Sequence, residues 1–182
     1  MLTAISNWFY KISKWWLILI FLGLFIGMMY IIPMIPIDPG LSNNESLDLP
    51  SFNTPAKIYS LLESYGSTGR TQIIWLATTW DLVFPISYTM LFGILISWLL
   101  QRGVNTRSIW RKLNLVVLGG VFDLLENTCT VLLVLIFPTQ LIVLAWLKTI
   151  FTMIKYGFGL PIFVVLIFAL LKASINRFRV QG

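Results

Sequence analysis

Asp81, Asp123, Glu126, Lys148 and Lys155 each lie inside a stretch of chain apolar enough to cross a membrane. A charged side chain at a helix centre costs about 2.5–3.5 kcal/mol to insert, so five together amount to roughly 12–18 kcal/mol if nothing offsets them. Such groups must face one another or water. Carboxylates set beside ammonium groups can fix helix register, hold a cationic ligand or act as acid–base partners. Their spacing says which faces they share. Asp123, Glu126, Asn127 and Thr130 fall at i, i+3, i+4 and i+7, forming one polar stripe. Thr78, Asp81, Pro85 and Tyr88 share a face of the preceding segment, and Lys148, Thr152, Lys155 and Gly159 a face of the following one. Three acids against two lysines leave one formal negative charge, open to a proton or to a cationic ligand. The candidate polar cavity is therefore built from Asp81, Tyr88, Asp123, Glu126, Asn127, Lys148 and Lys155.

Depth refines the expectation. Counted from the outer helix ends at ~1.5 Å per residue, Asp81 lies ~12 Å deep, Lys148 ~10 Å, Glu126 ~16 Å, and Asp123 and Lys155 ~21 Å. Matching levels predicts two pairs, Asp81 with Lys148 and Asp123 with Lys155. Two prolines add free acceptors. Pro85 lacks an N–H, so the Asp81 carbonyl loses its helical partner, and Pro161 does the same to Gly157. Free carbonyls near charged side chains predict a polar cavity in a membrane bundle, here one opening toward the outer face.

The elements that must position these residues are helices. Of 182 residues, 58% are hydrophobic and 11% charged, too little charge to cover a soluble domain. Hydropathy divides the chain into spans at about 15–35, 73–99, 113–137 and 141–171, making one membrane domain over 1–182. The predicted fold is all-α, a polytopic four-helix transmembrane bundle. Residues 1–14 place Ile5, Trp8, Phe9 and Ile12 on one side of a short interfacial helix, with Lys11 and Lys14 on the other. Gly23 and Gly27 form a GxxxG pair suited to close packing. Trp15, Trp16 and Trp110 read as interface anchors.

The long outer loop, 37–72, contains one short amphipathic helix. Thr54 supplies the N-cap and Pro55 the first helical position; Ile58, Leu61, Leu62 and Tyr65 share a face, and Gly66 ends the turn. It is expected on the outer surface or over the bundle. Arg70 there suits an anionic group or lipid phosphate, and Asn44-Glu45-Ser46 is a glycosylation sequon that matters only in a secretory pathway. Pro138-Thr139-Gln140 makes a tight turn between the last two spans. The basic residues fall near the N-terminus, in the loop with Arg102, Arg107, Arg111 and Lys112, and in the tail with Lys172, Arg177 and Arg179. That arrangement predicts a multi-pass cell-membrane protein with both termini cytoplasmic.

Other classes are excluded or disfavoured. The chain has no histidine and a single cysteine, Cys129, so histidine catalysis and an internal disulfide are ruled out. No P-loop, dinucleotide fingerprint or nucleophile elbow occurs, and no metal or other cofactor is implied. The net charge of +6 belongs to segments flanking the spans, which fits lipid and not nucleic acid. The expected partners are the bilayer and a small-molecule or lipid ligand.

Two motifs, Trp80-Asp81-Leu82-Val83-Phe84-Pro85-x-x-Tyr88 and Asp123-Leu124-Leu125-Glu126-Asn127, resemble a pattern of uncharacterised bacterial four-helix integral membrane proteins. The stretch from Tyr65-Gly66 to Gly69-Arg70 fits the same pattern, and the resemblance covers roughly residues 58–130. It implies the fold and brings no activity. Four helices around buried acids are also similar in architecture to sterol-isomerase-like membrane proteins, but the histidine of that pattern is missing. Three functions remain. One is a binding protein or carrier for a small polar or cationic ligand, with or without coupling to a proton. Another is an enzyme acting on a lipid or isoprenoid, with Asp123 or Glu126 as acid and base. The third is an assembly subunit whose charges serve packing.

Overall fold

The computed structural model describes residues 2–36, 47, 52–105, 108 and 114–181. Its order is α1 (Leu2–Ile12), α2 (Trp15–Ile31), a 3-10 turn (Ile32–Met34), α3 (Pro55–Ser64), α4 (Gly66–Thr78), α5 (Trp80–Gly103), α6 (Val116–Ile136) and α7 (Ile142–Gln181). All regular structure among the described residues is helical. Four stretches, Trp15–Met34, Gly66–Gly103, Val116–Ile136 and Ile142–Arg177, are long and apolar enough to cross a membrane. The chain is an all-α polytopic membrane bundle. The sequon at Asn44, the anchor Trp110, the basic residues Arg107, Arg111 and Lys112, and residues 37–46 and 48–51 of the outer loop lie outside the described residues.

Both termini meet at one end of the bundle. Gln101 Nε2 donates to the Tyr10 carbonyl at 2.8 Å, and Asn176 Nδ2 to the Arg102 and Gly103 carbonyls at 3.2 Å each. The second contact satisfies carbonyls that the end of α5 would otherwise expose. α7 itself runs to Gln181, past the span end expected at about 171. At Gly103 a Cβ would stand 2.6 Å from the Ala173 backbone nitrogen, so only glycine permits this approach of α5 and α7.

α1 is more than an interfacial ramp. Phe9 is buried with its ring against Gly93, where a Cβ would sit 2.5 Å from the ring edge. Ser6 is also buried and accepts the Asn114 backbone N–H at 3.1 Å. α1 therefore wedges into the terminal end of the bundle. α2 is less embedded: it meets α5 through Phe25, whose ring centre lies 5.5 Å from that of Phe84 and 5.9 Å from that of Phe92, and buries Met28, while most of its other residues are exposed. Its glycines 23 and 27 have nothing within 4 Å, so the GxxxG pair packs against nothing described in this chain.

The other end carries a cap. The Thr54 side chain accepts from Lys57 N at 3.3 Å, Pro55 opens α3, and Gly66 turns the chain at φ +66°. Ile58, Leu61, Leu62 and Tyr65 then pack on Leu133, Val134 and Ala145. α4 begins at Gly66, earlier than the span expected at 73, because the polar run Ser67–Gln72 is helical although it carries no membrane signal. Helix breaks at Thr79. The Thr79 hydroxyl donates to the Trp75 carbonyl at 2.6 Å and that of Thr78 to Ile74 at 2.7 Å, local bonds that compete with the helical ladder. A second apolar cluster, with Ile96, Leu99, Leu100, Val116, Val165 and Ala169, joins α5, α6 and α7 at the terminal end. The polar residues lie between these two apolar layers.

Candidate functional site

Glu126, on α6, is the centre of a buried ion network. It is 0% exposed, and Lys148, from α7, is 1% exposed. Lys148 Nζ stands 2.9 Å from Glu126 Oε1, and Lys155 Nζ is 2.5 Å from Oε2. Lys155 also reaches Asp123 Oδ1 at 2.9 Å, and the Tyr88 hydroxyl donates to Asp123 Oδ2 at 3.0 Å. The Thr152 hydroxyl lies 2.7 Å from Glu126 Oε1. The result is a continuous chain, Tyr88–Asp123–Lys155–Glu126–Lys148, crossing from α5 through α6 to α7. Two acids and two lysines balance within it.

The expected pair of Asp123 with Lys155 is present. Lys148, expected opposite Asp81, has its ammonium at Glu126 and at the Leu47 carbonyl in the loop before α3. Leu47 also shows what closes the cap end. Thr149 Oγ1 donates to the Asn53 carbonyl at 2.6 Å, and Leu141 N–H to the Tyr59 hydroxyl at 2.6 Å. Arg70 serves the same end. Its guanidinium donates to the Leu62 carbonyl at 2.8 Å and lies 4.3 Å from the Phe137 ring centre, so it ties α3 to α4 rather than waiting for an anion.

Below the network, α5, α6 and α7 surround a cavity of about 470 Å³. Asp81, Tyr88, Asp123, Asn127 and Lys155 all line it. Glu126 and Lys148, expected in the same cavity, are not among its lining residues and are sealed in the ion network. The remaining lining is apolar and aromatic: Phe84, Pro85, Phe92, Val116, Gly119, Tyr156, Gly159, Ile162, Phe163 and Leu166. Of these, Pro85 is expected on the face of Asp81 and Tyr88, and Gly159 on that of Lys155; the others read as ordinary membrane-facing sequence.

Pro85 shapes the polar end. The Asp81 carbonyl that it deprives of a helical donor takes a hydrogen bond from Asn127 Nδ2 at 2.6 Å. Asn127 thereby holds α6 to α5 at the level of the Asp81 side chain. A few turns on, Gly120 lets α6 approach closely, for a Cβ there would meet Thr89 Oγ1 at 2.2 Å.

No protein-family model, curated protein or solved structure matches this chain. The site is interpreted from its own geometry.

Proposed function

We propose that the chain is a membrane-embedded binding protein or carrier for a small cationic ligand, with both termini in the cytoplasm. The observation that carries this is the cavity's polar end, which the carboxylates of Asp81 and Asp123 line together while the Lys155 ammonium is engaged by Asp123 and Glu126. Carboxylates at the wall of a membrane cavity favour a cation over an anion. Aromatic faces at Phe84, Tyr88 and Phe92 suit the same ligand, because ring quadrupoles attract cations. Glu126 and Lys148 serve a different purpose on this reading, locking the cap to the bundle.

The test uses purified protein in lipid nanodiscs, its thermal unfolding followed with tetraethylammonium and with size-matched organic anions. The cation raises the midpoint, the anions do not, and Asp81→Asn abolishes the effect. Absence of any shift with organic cations would overturn the proposal. A lipid-modifying enzyme is the second reading, favoured by the Tyr88 hydroxyl on Asp123 at the cavity wall, a donor–carboxylate pair able to move a proton. Conversion of a membrane lipid by the reconstituted protein, lost in Tyr88→Phe, is the outcome that would select it.

A further inference from the structure

We infer that the terminal end of the bundle is a binding surface for anionic phospholipid, with Arg102 and Lys172 at its centre. Neither residue lines the cavity, so this surface is separate from whatever the cavity binds.

The sequence separates its charges by position. All basic residues except Lys57, Arg70, Lys148 and Lys155 belong to the N-terminal segment, to the end of α5 and the loop after it, or to the tail of α7. The acids are placed in the opposite way: none occurs in residues 1–36, 82–122 or 127–182. The structure then gathers the basic segments. Gln101 Nε2 donates to the Tyr10 carbonyl at 2.8 Å, which sets Lys11 beside the end of α5. Asn176 Nδ2 donates to the Arg102 and Gly103 carbonyls at 3.2 Å each, which sets the tail of α7 there too. A Cβ on Gly103 would stand 2.8 Å from the Lys172 Cβ, so Lys172 adjoins the residue that follows Arg102. Lys11, Lys14, Arg102, Lys172 and Arg177 are all exposed. Their mutual repulsion meets no acidic side chain within these segments, and like charges held together destabilise a compact fold. Anions from outside the chain offset it.

The surroundings of these cations identify the anion. Trp8, Trp15 and Trp16 are exposed and share the elbow between α1 and α2 with Lys11 and Lys14. Exposed indoles flanking a span belong at the level of the lipid headgroups. Lys and Arg at that level meet lipid phosphates and favour anionic lipid. A nucleic acid or an acidic protein would have to reach the same cations through the headgroup layer. Arg102 is prepared for a phosphate. Its guanidinium carbon lies 3.6 Å from the Trp98 ring centre, and Nη1 donates to the Trp98 carbonyl at 3.1 Å. Those contacts fix the head beside the ring and leave further N–H groups that no acid of this end can take. A planar guanidinium offers such groups to two phosphate oxygens at once, and Lys172 adds a point charge next to it. Arg70 at the cap differs, because its guanidinium is spent on the Leu62 carbonyl and the Phe137 ring.

Electron spin resonance of spin-labelled lipids decides the matter, with the full chain reconstituted in phosphatidylcholine. Spin-labelled phosphatidylglycerol and spin-labelled phosphatidylcholine are compared for their association with the protein surface. The anionic lipid associates about threefold more strongly. Its preference shrinks as salt is raised to about 1 M, where the screening length falls to ~3 Å. Arg102→Gln combined with Lys172→Gln brings the two lipids close to parity, whereas Lys57→Gln at the cap leaves the preference unchanged. The wild-type comparison and its salt dependence need no variant, so they decide the matter even where the double variant fails to fold. Equal association of the two lipids with the wild type overturns the inference. So does a preference indifferent to salt, one kept by the folded double variant, or one lost in Lys57→Gln. A single-stranded oligonucleotide that displaces the labelled phosphatidylglycerol from the wild type puts nucleic acid on this surface and overturns the lipid.

Discussion

Asn127 donates a hydrogen bond of 2.6 Å to the Asp81 carbonyl, the backbone oxygen that Pro85 leaves without its helical donor. One proline thus creates an acceptor within a span, and one amide from the neighbouring helix satisfies it. Unsatisfied backbone acceptors inside a bilayer are costly, so the two residues are energetically linked. Asn127→Ala should destabilise the protein by about 1–3 kcal/mol. In a Pro85→Ala background the helix regains its own N–H donor and the cost of Asn127→Ala should fall by more than half. A double-mutant cycle read by thermal unfolding checks this, and equal costs in both backgrounds would refute the link.

The position of Glu126 between two ammonium groups makes it the residue whose loss is felt most widely. Glu126→Gln leaves Lys148 buried without a carboxylate and Lys155 with Asp123 alone, and removal of one partner from a buried pair costs about 3–5 kcal/mol. Glu126→Gln combined with Lys148→Met removes the stranded charge and should recover part of that loss. Denaturation in mild detergent measures both variants. A double variant no more stable than Glu126→Gln would show that Lys148 is held mainly by the Leu47 carbonyl.

Much of this architecture was legible in the sequence, for reasons that also mark its limits. Apolar length reveals a span, so four were found. Thr54, Pro55 and Gly66 are local signals, so α3 was found with both its ends. The five buried charges and Pro85 announce themselves by cost. Which lysine meets which acid depends on helix register, and register follows from contacts that no single segment encodes. The depth of Glu126 did lie between those of Lys148 and Lys155, the place of a shared partner, but pairing by equal depth passed over it. The helical run Ser67–Gln72 was hidden by its polarity. The α7 wall of the cavity was hidden because Tyr156, Gly159 and Phe163 are residues any lipid-facing helix carries.

Gly120 offers a test of the packing that bounds the cavity. A Cβ at this position meets Thr89 Oγ1 at 2.2 Å and the remainder of the Thr89 side chain at 3.3–3.5 Å. Thr89 Oγ1 is itself buried without a hydrogen-bond partner. Gly120→Ala should therefore cost about 1–3 kcal/mol through overpacking. Thr89→Ala alone should be near neutral, since it removes a hydroxyl that satisfies nothing. The pair should regain most of the stability lost in Gly120→Ala, as measured by unfolding midpoint. A pair as unstable as Gly120→Ala would place the obstruction elsewhere.

Orientation rests on the distribution of charge at the two ends of the bundle. Lys11, Lys14, Arg102, Lys172 and Arg177 gather at the end where α1, the end of α5 and the tail of α7 meet. The cap end carries Glu63 beside Lys57 and Arg70, and Arg70 is engaged with the Leu62 carbonyl and the Phe137 ring. Basic segments flanking spans are retained in the cytoplasm, so the terminal end should face inward and the cap outward. Ser60 on α3 and Asn105 after α5 are both exposed and lie at opposite ends. The native thiol, Cys129, is buried, so it adds little background to labelling. In intact cells a membrane-impermeant maleimide should modify Ser60→Cys and spare Asn105→Cys until the membrane is opened. The reverse pattern would invert the orientation and put α3, with the Leu47 and Asn53 contacts behind it, on the cytoplasmic face.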